Sequence, residues 1–174
     1  VLLNRPVAHA VTCRMAVVCT NRRLGRPRHL QLCGEETFGG QVFRGLGGDV
    51  NDLRCTGKRV TILGMGAFAI ENMRTCFERG AAHVTILCRQ RGTVCPQIID
   101  WVNFVRSFDE SGKHHPAGDA IVLSYWQQAY DLSGAARPEC WQTQGWLKPD
   151  GHTVSVSDLF FVAHSLQMLE TRLG

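Results

Sequence analysis

The clearest patterning of apolar and polar positions lies between residues 58 and 88. Lys58 to Leu63 (Lys-Arg-Val-Thr-Ile-Leu) is β-branched and predicts a strand. Gly64 to Gly66 predicts a tight turn. From Ala67 to Arg79 the apolar residues Ala69, Ile70, Met73 and Phe77 recur at the spacing of one helical face. Gly80 is placed to end that helix. Ala82 to Cys88 (Ala-His-Val-Thr-Ile-Leu-Cys) predicts a second strand, buried on both faces. Strand, helix and strand within about 30 residues form a βαβ unit, whose right-handed crossover makes the strands parallel.

Upstream, residues 14–19 (Arg-Met-Ala-Val-Val-Cys) predict a short buried strand, followed by the polar turn Thr20-Asn21-Arg22-Arg23 and an extended connection at Arg26-Pro27. Residues 33–49 hold glycines at 34, 39, 40, 45, 47 and 48, dense enough for an irregular loop with one short element. Beyond Gly92 the period becomes helical. Residues 96–108 begin at Pro96 and continue through Ile98, Ile99, Val102, Phe104 and Val105. After a loop from Ser111 to Pro116, residues 118–130 predict a helix with Asp119 near its start and Ile121, Val122, Tyr125 and Trp126 along its apolar stripe. Val154 to Val156 predicts a short strand, and Ser157 or Asp158 caps a last helix running to about Leu173. The class is therefore α/β, a parallel sheet with flanking helices and a mainly helical C-terminal region.

Composition narrows the picture. At 174 residues the chain is long enough for one ordinary domain and too short for two full ones. With 44% apolar and 20% charged residues it matches an ordinary soluble globular protein. A formal net charge of +4 suits an anionic small molecule, and without a dense Lys/Arg run no nucleic-acid partner is expected. No stretch of 18 apolar residues occurs, so no membrane association is expected and a cytoplasmic location is. The opening Val1-Leu2-Leu3-Asn4-Arg5-Pro6 has neither an apolar signal core nor an initiator Met, which predicts an internal fragment or a processed chain. The eight cysteines (13, 19, 33, 55, 76, 88, 95 and 140) form no Cys-x-x-Cys pair, and no His pair has zinc-ligand spacing. No metal site is expected, and the cysteines read as reduced, small core residues.

The candidate chemistry sits at Gly64-Met65-Gly66-Ala67-Phe68-Ala69, a Gly-x-Gly-x-x-Ala turn between a strand and an amphipathic helix. The first glycine permits the turn, the second lets backbone approach a pyrophosphate, and Ala69 is small enough for the helix to pack on the sheet. The helix start then offers unpaired N–H groups to phosphate. An α/β protein can also use such a turn without binding anything. Dinucleotide sites for NAD or FAD place an acid about 20 residues after the motif, to hold the ribose 2′-hydroxyl. Here that position is Arg89, followed by Gln90 and Arg91, with no acid between Glu78 and Asp100. A guanidinium binds a 2′-phosphate that a carboxylate would repel, so the pattern favours NADPH. The alternative for Arg89 and Arg91 is a pair of solvated surface charges.

No catalytic set is visible. Gly-x-Ser-x-Gly, His-Glu-x-x-His and the P-loop pattern are absent. His114 and His115 read as exposed loop residues, His152 and His164 as structural, and Trp126, Trp141 and Trp146 as core of the C-terminal part.

Over about residues 14–95 these features resemble the NADPH-binding half of flavin-containing monooxygenases and their Baeyer–Villiger and N-hydroxylating relatives. Val18-Cys19-Thr20-Asn21 resembles the strand end that leaves the flavin domain, and Cys33-Gly34-Glu35-Glu36-Thr37-Phe38-Gly39-Gly40 resembles the linker. Gly57-Lys58-Arg59-Val60 through Ala69 resembles the NADPH turn, and Cys88-Arg89-Gln90-Arg91 the 2′-phosphate site. The resemblance implies a Rossmann-like FAD/NAD(P)-binding fold. It divides the chain into a flavin-side end and linker (residues 1–50), an NADPH-binding unit (51–95) and a helical continuation or cap (96–174). It further implies that NADPH reduces FAD, which activates O₂ to oxygenate a small nucleophilic N, S or carbonyl substrate. Gly64, Met65, Gly66, Ala67, Phe68 and Ala69 would hold the pyrophosphate, Arg89 and Arg91 the 2′-phosphate, and Thr20 would lie near the flavin. No residue of this chain is assigned a catalytic role. Three positions depart from the pattern: Asn21 replaces Gly, Cys33 replaces Pro, and the third motif position is Ala. No second glycine turn precedes residue 14, so the FAD pyrophosphate site would belong to a missing flavin-binding segment of the same protein. Two other classes stay open: an NADPH-dependent reductase or dehydrogenase, and a non-catalytic NAD(P)-sensing module. The first lacks both a redox Cys pair and a Tyr-x-x-x-Lys pair here.

Overall fold

The structure, a computed structural model, describes residues 31–45, 49–99, 110–112, 116–141 and 154–174. The strand expected at 14–19, Thr20, most of the helix expected at 96–108, and His114, His115, Trp146 and His152 lie outside the described residues. The chain divides into two compact units, residues 1–50 and 51–174.

Among the described residues of the first unit, a 3-10 turn at Glu35–Thr37 interrupts otherwise irregular backbone, in keeping with the glycine density there. Gly34 enters it at φ +81°, and the Glu35 carboxylate pairs with the Arg44 guanidinium at 2.6 Å. The N–H of Leu32 and then Arg44 hold the Glu35 carboxyl below its ordinary value.

The second unit is built on a parallel sheet of β1 (Arg59–Leu63), β2 (His83–Cys88) and β5 (Leu169–Leu173), in the order β1-β2-β5. Val60 pairs with Val84 and Val84 with Leu169, so one register runs through all three strands. Helix α1 (Ala67–Glu78) joins β1 to β2 and buries Ala69, Ile70, Met73 and Cys76. Its end matches the sequence reading: Gly80 at φ +79° donates to Phe77 O at 2.9 Å, and Ala81 N–H donates to Cys76 O at 3.0 Å. This pair of bonds satisfies carbonyls that the last turn would otherwise leave open. Helix α2 (Pro116–Ser133) is longer at both ends than residues 118–130. A second parallel pair, β3 (Val94–Cys95) with β4 (Ser155–Val156), leads into α3 (Asp158–Ser165). The Ser157 hydroxyl caps α3 by accepting from Phe160 N–H.

The last helix is shorter than its sequence predicts. It stops at Ser165, and Leu169–Leu173 forms β5 against β2. Leu, Gln, Met and Glu favour a helix over 166–170, but propensity is worth only tenths of a kcal/mol per residue. Pairing the open edge of β2 and burying Leu169 outweigh it. The C-terminal region therefore completes the same sheet as the βαβ unit.

Among the described residues, the helices pack on one face of that sheet. Ile70, Met73, Phe160, Phe161 and Ala163 join Val84, Ile86 and Leu169 in one core, edged by Val60 and Ile62. The other face carries Arg59, Thr61 and Leu63, then His83, Thr85 and Leu87, and is exposed or half-buried. β2 thus alternates instead of being buried on both faces, because a strand's side chains point to opposite sides and only one side here meets helices. Tyr130, Trp126 and Trp141 fill the interior around α2, as expected for the two tryptophans. Cys55, Cys76, Cys88, Cys95 and Cys140 are buried and not disulfide-bonded, whereas Cys33 is exposed and likewise not disulfide-bonded. Burial, with Cys55 close by, pushes the Cys76 thiol up to about 12, so it is an inert core thiol. No helix among the described residues is long and apolar enough to cross a membrane.

Candidate functional site

The glycine turn lies where a parallel sheet presents ligands, at the carboxyl end of its strands. β1 ends at Leu63, and Gly64, at φ +101°, reverses the chain while its N–H donates to Leu87 O at 2.8 Å on β2. Gly66 then precedes α1 in extended conformation (φ −96°, ψ −178°) with no side-chain cap. Its carbonyl accepts from Ala69 and Ile70 N–H at 2.9 and 3.2 Å. The N–H groups of Met65, Gly66, Ala67 and Phe68 make no hydrogen bond among the described residues. Among the described residues, a Cβ built at Gly64 or Gly66 would meet nothing within 4 Å, so nothing crowds the backbone of the turn at either glycine. Ala69 is buried against the sheet, which fits the demand for a small third residue. Phe68 is 71% exposed, beside the uncapped helix start.

The two arginines past β2 part company. Arg89 is exposed and makes no hydrogen bond or ion pair among the described residues. The Arg91 guanidinium is turned onto Glu139, and its backbone N–H donates to Glu139 Oε2 at 2.8 Å. Burial raises the Glu139 carboxyl, but the hydrogen bonds and charge from Arg91 outweigh it and hold the group below its ordinary value. Burial pushes the neighbouring Cys88 thiol up, with Arg91 offsetting part of the effect. Thr20 lies outside the described residues.

Three further features build the site. Gly92 packs so closely on the turn that a Cβ there would come within 2.6 Å of Met65 O, a contact only glycine permits. The 91–94 segment is fastened by Glu139 and by the Trp141 indole N–H, which donates to Thr93 Oγ1 at 3.1 Å. Val94 N–H donates to the buried Tyr130 hydroxyl at 2.8 Å. Gly92 was a visible glycine just past a strand. Glu139 and Tyr130 are brought in from 48 and 36 residues away.

A groove of about 680 Å³ lies at the opposite end of the strands, lined by His83, Ser133, His164, Glu170 and Thr171 among others. It includes no residue of the glycine turn. His164 packs against Phe160, with its Nε2 3.3 Å from Thr171 Oγ1, and burial lowers its pKa to about 4. Among the described residues, no three His, Cys, Asp or Glu side chains gather as metal ligands. No protein-family model matches this chain, and no curated protein matches it.

Proposed function

We propose that residues 51–174 form a Rossmann-like unit that binds NADPH, as the nucleotide-binding portion of a flavin-dependent monooxygenase acting on a small nucleophilic N, S or carbonyl substrate. The observation that carries the nucleotide assignment is the turn itself: among the described residues, four of its amides have no partner, a Cβ at either glycine meets nothing, and Arg89 past the end of β2 is exposed and unpaired. In this reading the amides of Met65 to Phe68 hold the pyrophosphate, and Arg89 holds the 2′-phosphate. NADPH supplies a hydride when bound. The chain's own part is to position the nucleotide, and FAD belongs to a segment outside this sequence.

The deciding measurement is calorimetric titration of NADPH and NADH into the wild type and Arg89→Ala. Losing a bidentate charge-assisted contact costs about 1.5–3 kcal/mol, so NADPH should bind about 10- to 100-fold more weakly in the variant and NADH no differently. Equal wild-type affinity for both nucleotides would remove the 2′-phosphate assignment. Adding FAD and following NADPH-dependent O₂ uptake by the protein then separates the monooxygenase from a reductase or a non-catalytic NAD(P)-sensing module.

A further inference from the structure

The region past β2 holds a carboxylate after all, delivered from a distant part of the chain. Glu139 sits between Pro138, which is fully buried, and Cys140, which is 5% exposed, so core packing holds its backbone in place. Its two oxygens engage the N–H and the guanidinium of Arg91. Arg91 keeps 19% of its side-chain surface exposed, and its buried Nε has no hydrogen-bond partner among the described residues. One residue further, Gly92 lies against Met65 of the glycine turn, so this ion pair stands next to the turn rather than elsewhere on the surface.

We propose that Glu139 is a positioning residue that sets nucleotide preference, by neutralising Arg91 and leaving the 2′-phosphate to Arg89. This inference rests on the nucleotide site proposed above. Two arginines at the ribose end would draw a 2′-phosphate strongly, whereas an ion pair presents no net charge to it. A carboxylate freed from its arginine would repel that phosphate and accept a hydrogen bond from a ribose hydroxyl. Preference between NADPH and NADH is then governed by which member of the pair remains. Glu139→Gln keeps an oxygen to accept the Arg91 N–H while removing the charge, so the fastening of the 91–94 segment is retained.

NADPH and NADH are titrated calorimetrically into the wild type, Glu139→Gln, Arg91→Ala and the double variant. Glu139→Gln should raise the NADPH-to-NADH affinity ratio about tenfold, and Arg91→Ala should lower it about tenfold. The double variant should return close to the wild-type ratio. A merely structural role for the pair would weaken both nucleotides together and leave the ratio unmoved. Ratios within twofold of wild type in both single variants would overturn the inference while leaving the nucleotide site standing. Failure of the wild type to bind either nucleotide would overturn both.

Discussion

At Gly66 the backbone is extended and open to any residue, whereas Gly64 at φ +101° lies where a side chain is strained. Gly66 also occupies the N-cap of α1, a position that Asp fills well because its carboxylate accepts from the next turn's amides. Stability and binding should therefore separate in Gly66→Asp. The cap should leave the unfolding free energy unchanged or raised by roughly a few tenths of a kcal/mol, because glycine is already a tolerable cap. The same carboxylate, placed where the pyrophosphate would sit, should weaken NADPH by at least about 100-fold. Chemical unfolding and calorimetric titration on one sample read both quantities, and undiminished binding would detach the turn from the nucleotide. Arg89 and Arg91 look equivalent in sequence, and their difference is decided by Glu139. Reading a cation's role from its position after a strand works only until a distant acid reaches it.

Helices α1 and α3 end by the same device with different residues. In α3, Gln167 N–H donates to His164 O and Met168 N–H to Ala163 O, both at 2.9 Å, which repeats the bonds that Gly80 and Ala81 make in α1. Gln167 adopts φ +57° to do so, the left-handed region that disfavours a side chain. Gln167→Gly should stabilise the protein by about 1 kcal/mol, and Gly80→Ala should destabilise it by about 1–2 kcal/mol. Thermal unfolding of the two variants tests this, with shifts of a few degrees in opposite directions. The end of α1 was legible because glycine marks it. The end of α3 was not, because Gln is a good helix former and the only signal was the need of β2 for a partner.

Folding of the unit half-buries His164 at the edge of the groove, packed on Phe160 and beside Thr171. It lies in the last turn of α3, where the helix dipole favours a positive charge, yet burial prevails and draws its pKa down to about 4. The unfolded ring titrates near 6.5, so below that pH the unfolded state binds the extra proton. The contribution of neutral His164 is fully present above about pH 6.5 and is lost as pH falls toward 4. Allowing for solvent screening of a ring that is not fully enclosed, this loss is about 2 kcal/mol. Urea unfolding at pH 7 and pH 4.5 should show a pH-dependent loss smaller by that amount in His164→Gln than in the wild type. Identical pH slopes would mean that the ring is solvated when folded.

Sequence alone determined the strand-turn-helix-strand from Arg59 to Cys88 and its glycine turn, because these elements rest on local periodicity and on backbone angles that particular residues permit. It determined the position of Arg89 for the same reason. Tertiary structure decided that Leu169–Leu173 is a strand, that β2 alternates in burial, and that Arg91 is spoken for by Glu139. Each of these depends on a partner distant along the chain: an open strand edge, a one-sided set of helices, a carboxylate 48 residues away. Local propensity, at tenths of a kcal/mol per residue, yields to such contacts wherever they bury an apolar side chain or pair a charge.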